Sequence, residues 1–363
     1  MKIFKCMFLF FVMLITACDD NNPKTVSFDI NKEIISFIHE DLNNSEIDDY
    51  YITSTYKPRD KLYKPVLYIQ RERWDLAIPL LKELVQENNA DAMYWLASIS
   101  GGSVLSGKKM AMLFERSANL GNPYAALRLD SGAKDCDSYL RGYCSKKWGK
   151  KARKILESRA KKGDIKSEYQ LAIINGVNYR DTLKLALKNA KNNYYYPLYK
   201  YIEYSRYLSV DTRKELYNLM IDKNFTPVGQ LMNLNFSMDN LSYEFYSKAF
   251  IKLKFNSDFW YSNYNINSKL FDKYKKRIYA LNVVKGTFII DLIKSSDSEG
   301  NINPDSVKYK EIVKSFNSDL DELGLDTIKQ QEIKDIKSES IKISNNFKPL
   351  IYIDEFNYDP NVI

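Results

Sequence analysis

The sequence predicts an all-α protein: an α-solenoid of helix–turn–helix repeats, followed by a mainly helical C-terminal domain. Two observations lead to this prediction. Between residues 67 and 204, one set of apolar, small and turn residues recurs in register, at shifts of 33, 42 and 30 residues. Within each copy the apolar positions lie three, four or seven residues apart, as one face of a helix requires. A unit of this size cannot bury its apolar face alone, so we expect the units to stack.

Each copy of the pattern has six members. The four copies are Leu81, Val85, Asn88, Ala92, Tyr94 and Leu96; Phe114, Ala118, Gly121, Ala125, Leu127 and Leu129; Leu156, Ala160, Gly163, Ser167, Tyr169 and Leu171; and Ala186, Ala190, Asn193, Pro197, Tyr199 and Tyr201. Small residues such as Ala118 and Ala160 let neighbouring helices approach closely. Gly121 and Gly163 suit the left-handed position that ends a helix, and Pro123 suits the first turn of the next one. The pattern therefore predicts where each helix ends and the next begins.

Two stretches of the chain resemble a known repeat family. The first runs from Ala92 to Val104 and continues from Ala111 to Ala125, and the second runs from Tyr169 to Ala190. Both resemble the Sel-one-like helical repeats, relatives of the tetratricopeptide repeats, although Ala97 and Ala172 stand where glycine is expected. The resemblance implies an α-solenoid that binds other proteins, and it implies neither a reaction nor a cofactor. The positions expected to pack the repeats together are Ala92, Leu96, Ala111, Ala118, Gly121, Ala125, Leu129, Ala160, Gly163 and Leu171.

The first seventeen residues have the layout of a secretory signal. Two lysines precede an apolar run from Met7 to Ile15, which is too short to span a bilayer comfortably. The run leads into Ala17-Cys18, and the segment resembles the lipobox of bacterial lipoproteins. This resemblance implies that Cys18 is acylated and that the protein is a lipid-anchored protein of the periplasm. Asp19 resembles a signal for retention at the inner membrane, with the outer membrane as the alternative. An ordinary signal with an incidental cysteine is the competing interpretation.

The chain divides into four predicted segments. They are the signal peptide at 1–17, a lipidated tether with a short helix at 18–66, the Sel-one-like repeats at 67–204 and the mainly helical domain at 205–363. Apolar spacing predicts the short helix over 33–42. In the last segment it predicts helices over 211–223 and 241–253, one that starts at Asn303-Pro304-Asp305, and one that starts at Asp326. From Lys348 to Phe356 the alternation of Leu350 and Tyr352 predicts a short strand.

Two cysteines remain after the signal peptide and the acylated residue are set aside. Cys136 and Cys144 lie where the repeat spacing stretches from 33 to 42 residues, which indicates an inserted loop. An even pair in an oxidising compartment predicts a disulfide, which would stabilise the fold by about 2–3 kcal/mol. Two unrelated thiols are the alternative.

No catalytic or metal-binding set stands out in the sequence. His39 is the only histidine, so neither a histidine-dependent triad nor a zinc site has the residues it needs. Residues 102–108 match the spacing of a phosphate loop, but Lys109 follows where serine or threonine is required. Residues 295–306 resemble a calcium loop only faintly, because Ser295 and Ser306 occupy the positions that need Asp and Glu. We therefore expect no cofactor, no metal and no enzymatic activity.

Charge gives one further indication. The formal net charge of +8 over 363 residues is mild, which does not favour a nucleic-acid partner. Its one clear basic cluster is Lys146, Lys147, Lys150, Lys151, Arg153 and Lys154. Such a run is usually a solvated helix face, and it can also contact anionic headgroups or an acidic partner.

These features predict a membrane-anchored protein–protein interaction module in the periplasm. The resemblance implies a sharper version, because some lipoproteins with Sel-one-like repeats are immunity proteins that neutralise phospholipase effectors of type VI secretion. A secreted lipase is then the expected partner. The alternatives are a scaffold or adaptor of the cell envelope and an envelope hydrolase that uses a pair of carboxylates.

Overall fold

The computed structural model describes residues 29–43, 49–100, 107–205, 207–225, 227–229, 231, 303–322 and 349–358. Within these residues the regular elements are α-helices, and no strand is present. The helices are α1 (Ile30–Asn43), α2 (Tyr63–Gln70), α3 (Trp74–Gln86), α4 (Ala90–Ile99), α5 (Gly107–Asn119), α6 (Pro123–Arg128), α7 (Lys134–Ser138), α8 (Lys146–Lys161), α9 (Ile165–Asn175), α10 (Tyr179–Lys191), α11 (Tyr196–Tyr204), α12 (Val210–Asp222) and α13 (Val307–Glu322). The all-α prediction is confirmed for this part of the chain.

Helices that follow one another in the chain pack against one another. From α2 to α6 each helix contacts the next, and the same holds from α8 to α11. The short helix α7 contacts α6, while α6 packs directly on α8. The loop that carries α7 is therefore an insertion in an otherwise continuous series of helices. At the other end, α1 packs on α10 and α12.

One turn geometry recurs between paired helices. Asn88, Gly121, Gly163 and Asn193 have φ angles of 61°, 100°, 91° and 61°, and they end α3, α5, α8 and α10 respectively. Glycine and asparagine tolerate this left-handed conformation better than other residues do. After the first three turns the next residue is Asn89, Asn122 or Asp164, and its side chain accepts a hydrogen bond from an amide of the following helix. The four positions are those that the sequence pattern places in register.

The buried apolar side chains form two clusters. One draws on α1 and α10 to α12, and the other draws on α2 to α6 and α8. Residues 349–358 contribute to both: Leu350 and Tyr352 belong to the first cluster, whereas Ile351 and Ile353 belong to the second. An extended chain points successive side chains in opposite directions, so one short segment joins the two clusters.

Two predictions for the C-terminal part are wrong in detail. The helix expected to begin at Asn303 begins at Val307, because the Oδ1 atom of Asn303 accepts a hydrogen bond from the amide of Asp305 at 2.9 Å and thereby forms a turn. The hydroxyl of Ser306 accepts a bond from the amide of Tyr309 at 3.1 Å and is the cap instead. The strand predicted from Lys348 to Phe356 is absent from the described residues 349–356, which pair with no strand. The main-chain hydrogen bonds of residues 350–352 alternate between two sides, as in an extended chain. Helices 33–42 and 211–223 correspond to α1 and α12, while the helices predicted over 241–253 and from Asp326 lie outside the described residues.

The residues predicted to pack the repeats lie at the helix contacts or at the turns. The buried ones are Ala92, Leu96, Ala111, Ala118, Ala125 and Leu129. Ala160 and Leu171 are only partly buried, and Gly121 and Gly163 occupy the left-handed turns. No helix among the described residues is long and apolar enough to cross a bilayer.

Candidate functional site

The most unusual feature of the structure is the way residues 349–358 are held. We call them the 349–358 segment. Its contacts come from the loop before α2, from α2, α4, α6, α9 and α11, and from the residues after α12; together these make up what we call the receiving face. The contacting residues are Ser54, Thr55, Tyr56, Tyr63, Gln70, Tyr94, Trp95, Tyr124, Lys166, Tyr169, Tyr196, Asn224 and Phe225.

One edge of the segment is bound by the side chain of Gln70. Its Nε2 donates to the carbonyl of Leu350 at 2.8 Å, and its Oε1 accepts from the amide of Tyr352 at 2.8 Å. The hydroxyl of Tyr63 donates to the carbonyl of Pro349 at 2.6 Å. An amide side chain that both donates and accepts in this way replaces the neighbouring strand that the segment lacks.

The opposite edge is bound by the loop before α2. The amide of Ile351 donates to the Ser54 hydroxyl at 2.9 Å, and its carbonyl accepts from the amide of Thr55 at 2.8 Å. The Thr55 hydroxyl also donates to the carbonyl of Ile353 at 2.7 Å. Farther along, the hydroxyl of Tyr94 donates to the carbonyl of Glu355 at 2.8 Å. Both edges of an extended main chain are thus bound, mostly by side chains.

The Asp354 side chain forms an ion pair with Lys166. The Nζ atom of Lys166 lies 2.9 Å from an Asp354 oxygen, and the Asp354 side chain is only 4% exposed. The same ammonium lies 4.2 Å from the ring centroid of Tyr194, which is a cation–π distance. Burial by itself lowers the pKa of Lys166, but the Asp354 charge outweighs it and the pKa is raised. Lys166 therefore stays charged and selects an acid at this position.

The Glu355 side chain occupies a less favourable place. Its Oε1 accepts a hydrogen bond from the Tyr56 hydroxyl at 2.5 Å, and that hydroxyl accepts one from the Trp95 indole at 3.1 Å. The pKa of Glu355 is raised to about 7. Burial is the main cause, and the nearby charges of Asp91 and Asp354 add to it. The hydrogen bond from Tyr56 acts in the opposite direction and does not compensate.

Three tyrosines surround the ring of Phe356, and we call them the tyrosine cage. Its ring centroid lies 6.4 Å from that of Tyr124, 5.7 Å from that of Tyr169 and 5.6 Å from that of Tyr196. The Tyr169 and Tyr196 contacts are edge-to-face, a geometry in which an aromatic pair is attractive beyond its buried area. The cage is open on one side, since Phe356 is only partly buried.

One position of the receiving face recurs on four of its helices. Asp91, Tyr124, Lys166 and Tyr196 each lie three residues after one of the four left-handed turn residues, so they occupy equivalent positions on α4, α6, α9 and α11. Three of them contact the segment: Lys166 through an ion pair, and Tyr124 and Tyr196 through their rings. Asp91 accepts a hydrogen bond from Asn122, and its charge contributes to the raised pKa of Glu355. The second helix of every pair therefore presents the same position to the segment.

The residues singled out from the sequence mostly lie elsewhere. Cys136 and Cys144 form a disulfide with Cα atoms 6.0 Å apart, in agreement with the prediction. His39 is exposed on α1, and Cys18 lies outside the described residues. In the basic cluster, Lys147 and Lys151 flank the buried Trp148 ring at 4.9 and 5.5 Å. In the described ranges, no three His, Cys, Asp or Glu side chains are grouped so as to hold a metal ion.

Sequence reasoning missed the receiving face. Its members are separated from the segment by up to 299 residues, as in the Tyr56–Glu355 hydrogen bond. One signal was available: in each copy of the repeat register, the third residue after the turn is charged or aromatic. Comparison with protein-family models, with curated proteins and with solved structures finds no match for this chain.

Proposed function

We propose that this protein is a protein–protein interaction module, built as an α-solenoid and anchored by lipid at the periplasmic side of a bacterial membrane. One observation carries the proposal: the second helices of four successive pairs present equivalent residues to a single extended segment. Repeat proteins of stacked helices bind partners in this way, because stacking turns one position into a continuous surface. The anchor at Cys18 and the periplasmic location come from the resemblance of the N-terminus to lipoprotein signals.

The contacts on the receiving face support a binding role over an enzymatic one. An envelope hydrolase that uses two carboxylates needs acidic groups that can reach a substrate. Among the described acidic residues, Asp354 and Glu355 stand next to each other, with the pKa of Glu355 raised to about 7. Their side chains are bound by Lys166 and Tyr56, which fits the retention of a polypeptide segment.

A sharper form of the proposal names the partner. The resemblance to lipoproteins with Sel-one-like repeats makes a secreted phospholipase of type VI secretion the candidate, with this chain as the immunity protein that neutralises it. Deleting the gene should then sensitise cells to attack by sister cells that carry the lipase. Unchanged resistance would refute the immunity role and leave the envelope scaffold as the better proposal.

The test of the module itself is a pull-down from membranes. The bait is the chain starting at Asp19, and mass spectrometry identifies what it captures. We expect one dominant protein: a secreted lipase under the immunity proposal, or a resident envelope protein under the scaffold proposal. If the bait captures nothing above an unrelated periplasmic control bait, the interaction module is the wrong description.

A further inference from the structure

The receiving face treats the 349–358 segment as a protein treats a peptide ligand. Main-chain groups from Pro349 to Ile353, and the carbonyl of Glu355, are bound mostly by side chains. A strand within a sheet is instead bound by the main chain of its neighbour. Since every residue except proline carries the same main-chain groups, this part of the contact accepts any extended polypeptide.

Selectivity arises at two positions of the receiving face, Lys166 and the tyrosine cage, which need particular chemistry in the occupant. Lys166 is partly buried beside Tyr194, with 32% of its side chain exposed, so an occupant without an acid opposite it would leave the ammonium without an ion-pair partner. The tyrosine cage needs an aromatic ring. Before these positions, apolar side chains must point alternately to the two apolar clusters, as Leu350 and Tyr352 do toward one and Ile351 does toward the other.

The protein's own segment fits this face imperfectly. The Glu355 carboxyl lies within the fields of Asp91 and Asp354, in partly buried surroundings that oppose its ionised form. Its hydrogen-bond partner, Tyr56, is partly buried and packs edge-to-face against the Trp95 ring. A segment with a neutral side chain at this position would make the same main-chain contacts without the electrostatic cost.

We propose that the receiving face binds an extended segment of a partner protein in exchange for the 349–358 segment. The segment it takes has apolar side chains that alternate between the two clusters, then an acid opposite Lys166, a neutral residue, and an aromatic residue in the tyrosine cage. The inference rests on the proposed function, because it names the chemistry of the partner for the same face. The 349–358 segment then acts as an internal ligand that keeps the face covered until the partner arrives.

The experiment uses the full chain and a labelled synthetic peptide. The peptide has the sequence of residues 348–358 with Glu355→Gln, and fluorescence anisotropy measures its binding. The full-chain variant Phe356→Ala weakens the internal ligand and leaves the face intact, so we expect it to bind the peptide at least tenfold more tightly than the unmodified chain. The matched control is Tyr204→Ala, which removes a ring that is 71% exposed, and should bind like the unmodified chain.

Specificity is tested at the ion pair. A peptide that carries Asp354→Asn in addition should bind at least tenfold more weakly to the Phe356→Ala chain. In the double variant Phe356→Ala, Lys166→Met, the two peptides should bind equally, because the ammonium that distinguishes them is gone. Equal binding of both peptides to the Phe356→Ala chain would overturn the assignment of Lys166 as the selecting residue.

A further measurement uses only the unmodified chain, so its result does not depend on whether the variants fold. Hydrogen exchange on the unmodified chain compares the amides of Ile351 and Tyr352 with those of α4. Hydrogen exchange at these amides requires the 349–358 segment to detach from the receiving face. If it detaches while the helices stay folded, we expect its amides to exchange hydrogen at least a hundredfold faster than those of α4. Equal rates would show that the segment leaves only when the whole fold opens, and the exchange proposal would be overturned.

The outcomes separate this inference from the proposed function. A pull-down that captures a partner, together with a peptide that binds no chain, would refute exchange and leave the interaction module standing. If the pull-down captures nothing and the peptide binds tightly, the interaction module would be refuted and the exchange of segments would stand. If size-exclusion chromatography shows that the Phe356→Ala chain and the unmodified chain pair with each other, the occupant is a second copy of this chain, and the partner assignment is overturned.

Discussion

Replacing Glu355 by glutamine removes a carboxyl group that the fold holds in unfavourable surroundings. In the folded protein, burial and the charges of Asp91 and Asp354 raise its pKa from 4.5 to about 7. Between these two pH values the folded chain keeps a proton that the unfolded chain has released. Unfolding therefore releases a proton, and the free energy of unfolding must fall as the pH rises through this window.

The size of the effect follows from the two pKa values. They differ by about 2.5, and each unit corresponds to 1.36 kcal/mol, so the upper bound is roughly 3 kcal/mol. The side chain is partly exposed, which reduces the effect, and we expect a fall of about 1–3 kcal/mol between pH 5 and pH 8. The Glu355→Gln chain should lack this fall, since its amide carries no titrating proton and still accepts the Tyr56 hydrogen bond.

Urea unfolding at several pH values between 5 and 8 measures the difference between the two chains. The Glu355→Gln chain should match the unmodified chain near pH 5 and be more stable at pH 8. Glu87→Gln is the control, because this glutamate is a surface partner of Lys61 with a side chain that is 54% exposed. Parallel pH profiles for the unmodified and Glu355→Gln chains would refute the argument that the segment buries this carboxyl at a cost.

Two further predictions concern the helices that support the receiving face. Gly121→Ala should lower the free energy of unfolding by about 1 kcal/mol, because alanine is strained at a φ of 100°, whereas Gly132→Ala, on an open surface, should change it little; thermal unfolding compares the two. Cys136→Ser together with Cys144→Ser should cost roughly 2–3 kcal/mol, the value expected for a cross-link between residues eight apart, and should make stability insensitive to reductant. A reductant effect that persists in the double serine chain would contradict the disulfide assignment.

The helices and turns could be predicted because their causes are local. A glycine or asparagine followed by a capping asparagine or aspartate encodes the turns at Asn88, Gly121 and Gly163 within a few residues. The helix expected at Asn303 failed for an equally local reason: Ser306 competes as a cap and wins, so the helix starts three residues after Pro304.

The contacts of the 349–358 segment could not be predicted from nearby residues in the sequence. The alternation of Leu350 and Tyr352 predicted a strand, but none forms in the described residues, because a strand also needs a neighbouring strand and the sequence does not say which element lies beside it. The neighbours are Thr55 and Gln70, which are about 280 to 300 residues away in the chain. Likewise, burial raises the pKa of Glu355, with a smaller contribution from the charge of Asp91, and only the tertiary fold buries Glu355 and brings Asp91 near.

Site-specific photo-crosslinking in cells tests whether a partner protein replaces the 349–358 segment on the receiving face. Benzoylphenylalanine in place of Tyr169 puts the crosslinker in the tyrosine cage, beside Phe356. The same substitution at Tyr204, which is 71% exposed, is the control. We expect two crosslinked products from position 169, one with the chain's own 349–358 segment and one with a partner protein. From position 204 we expect little crosslinking to the partner. A partner that crosslinks at 204 and never at 169 would contradict the account.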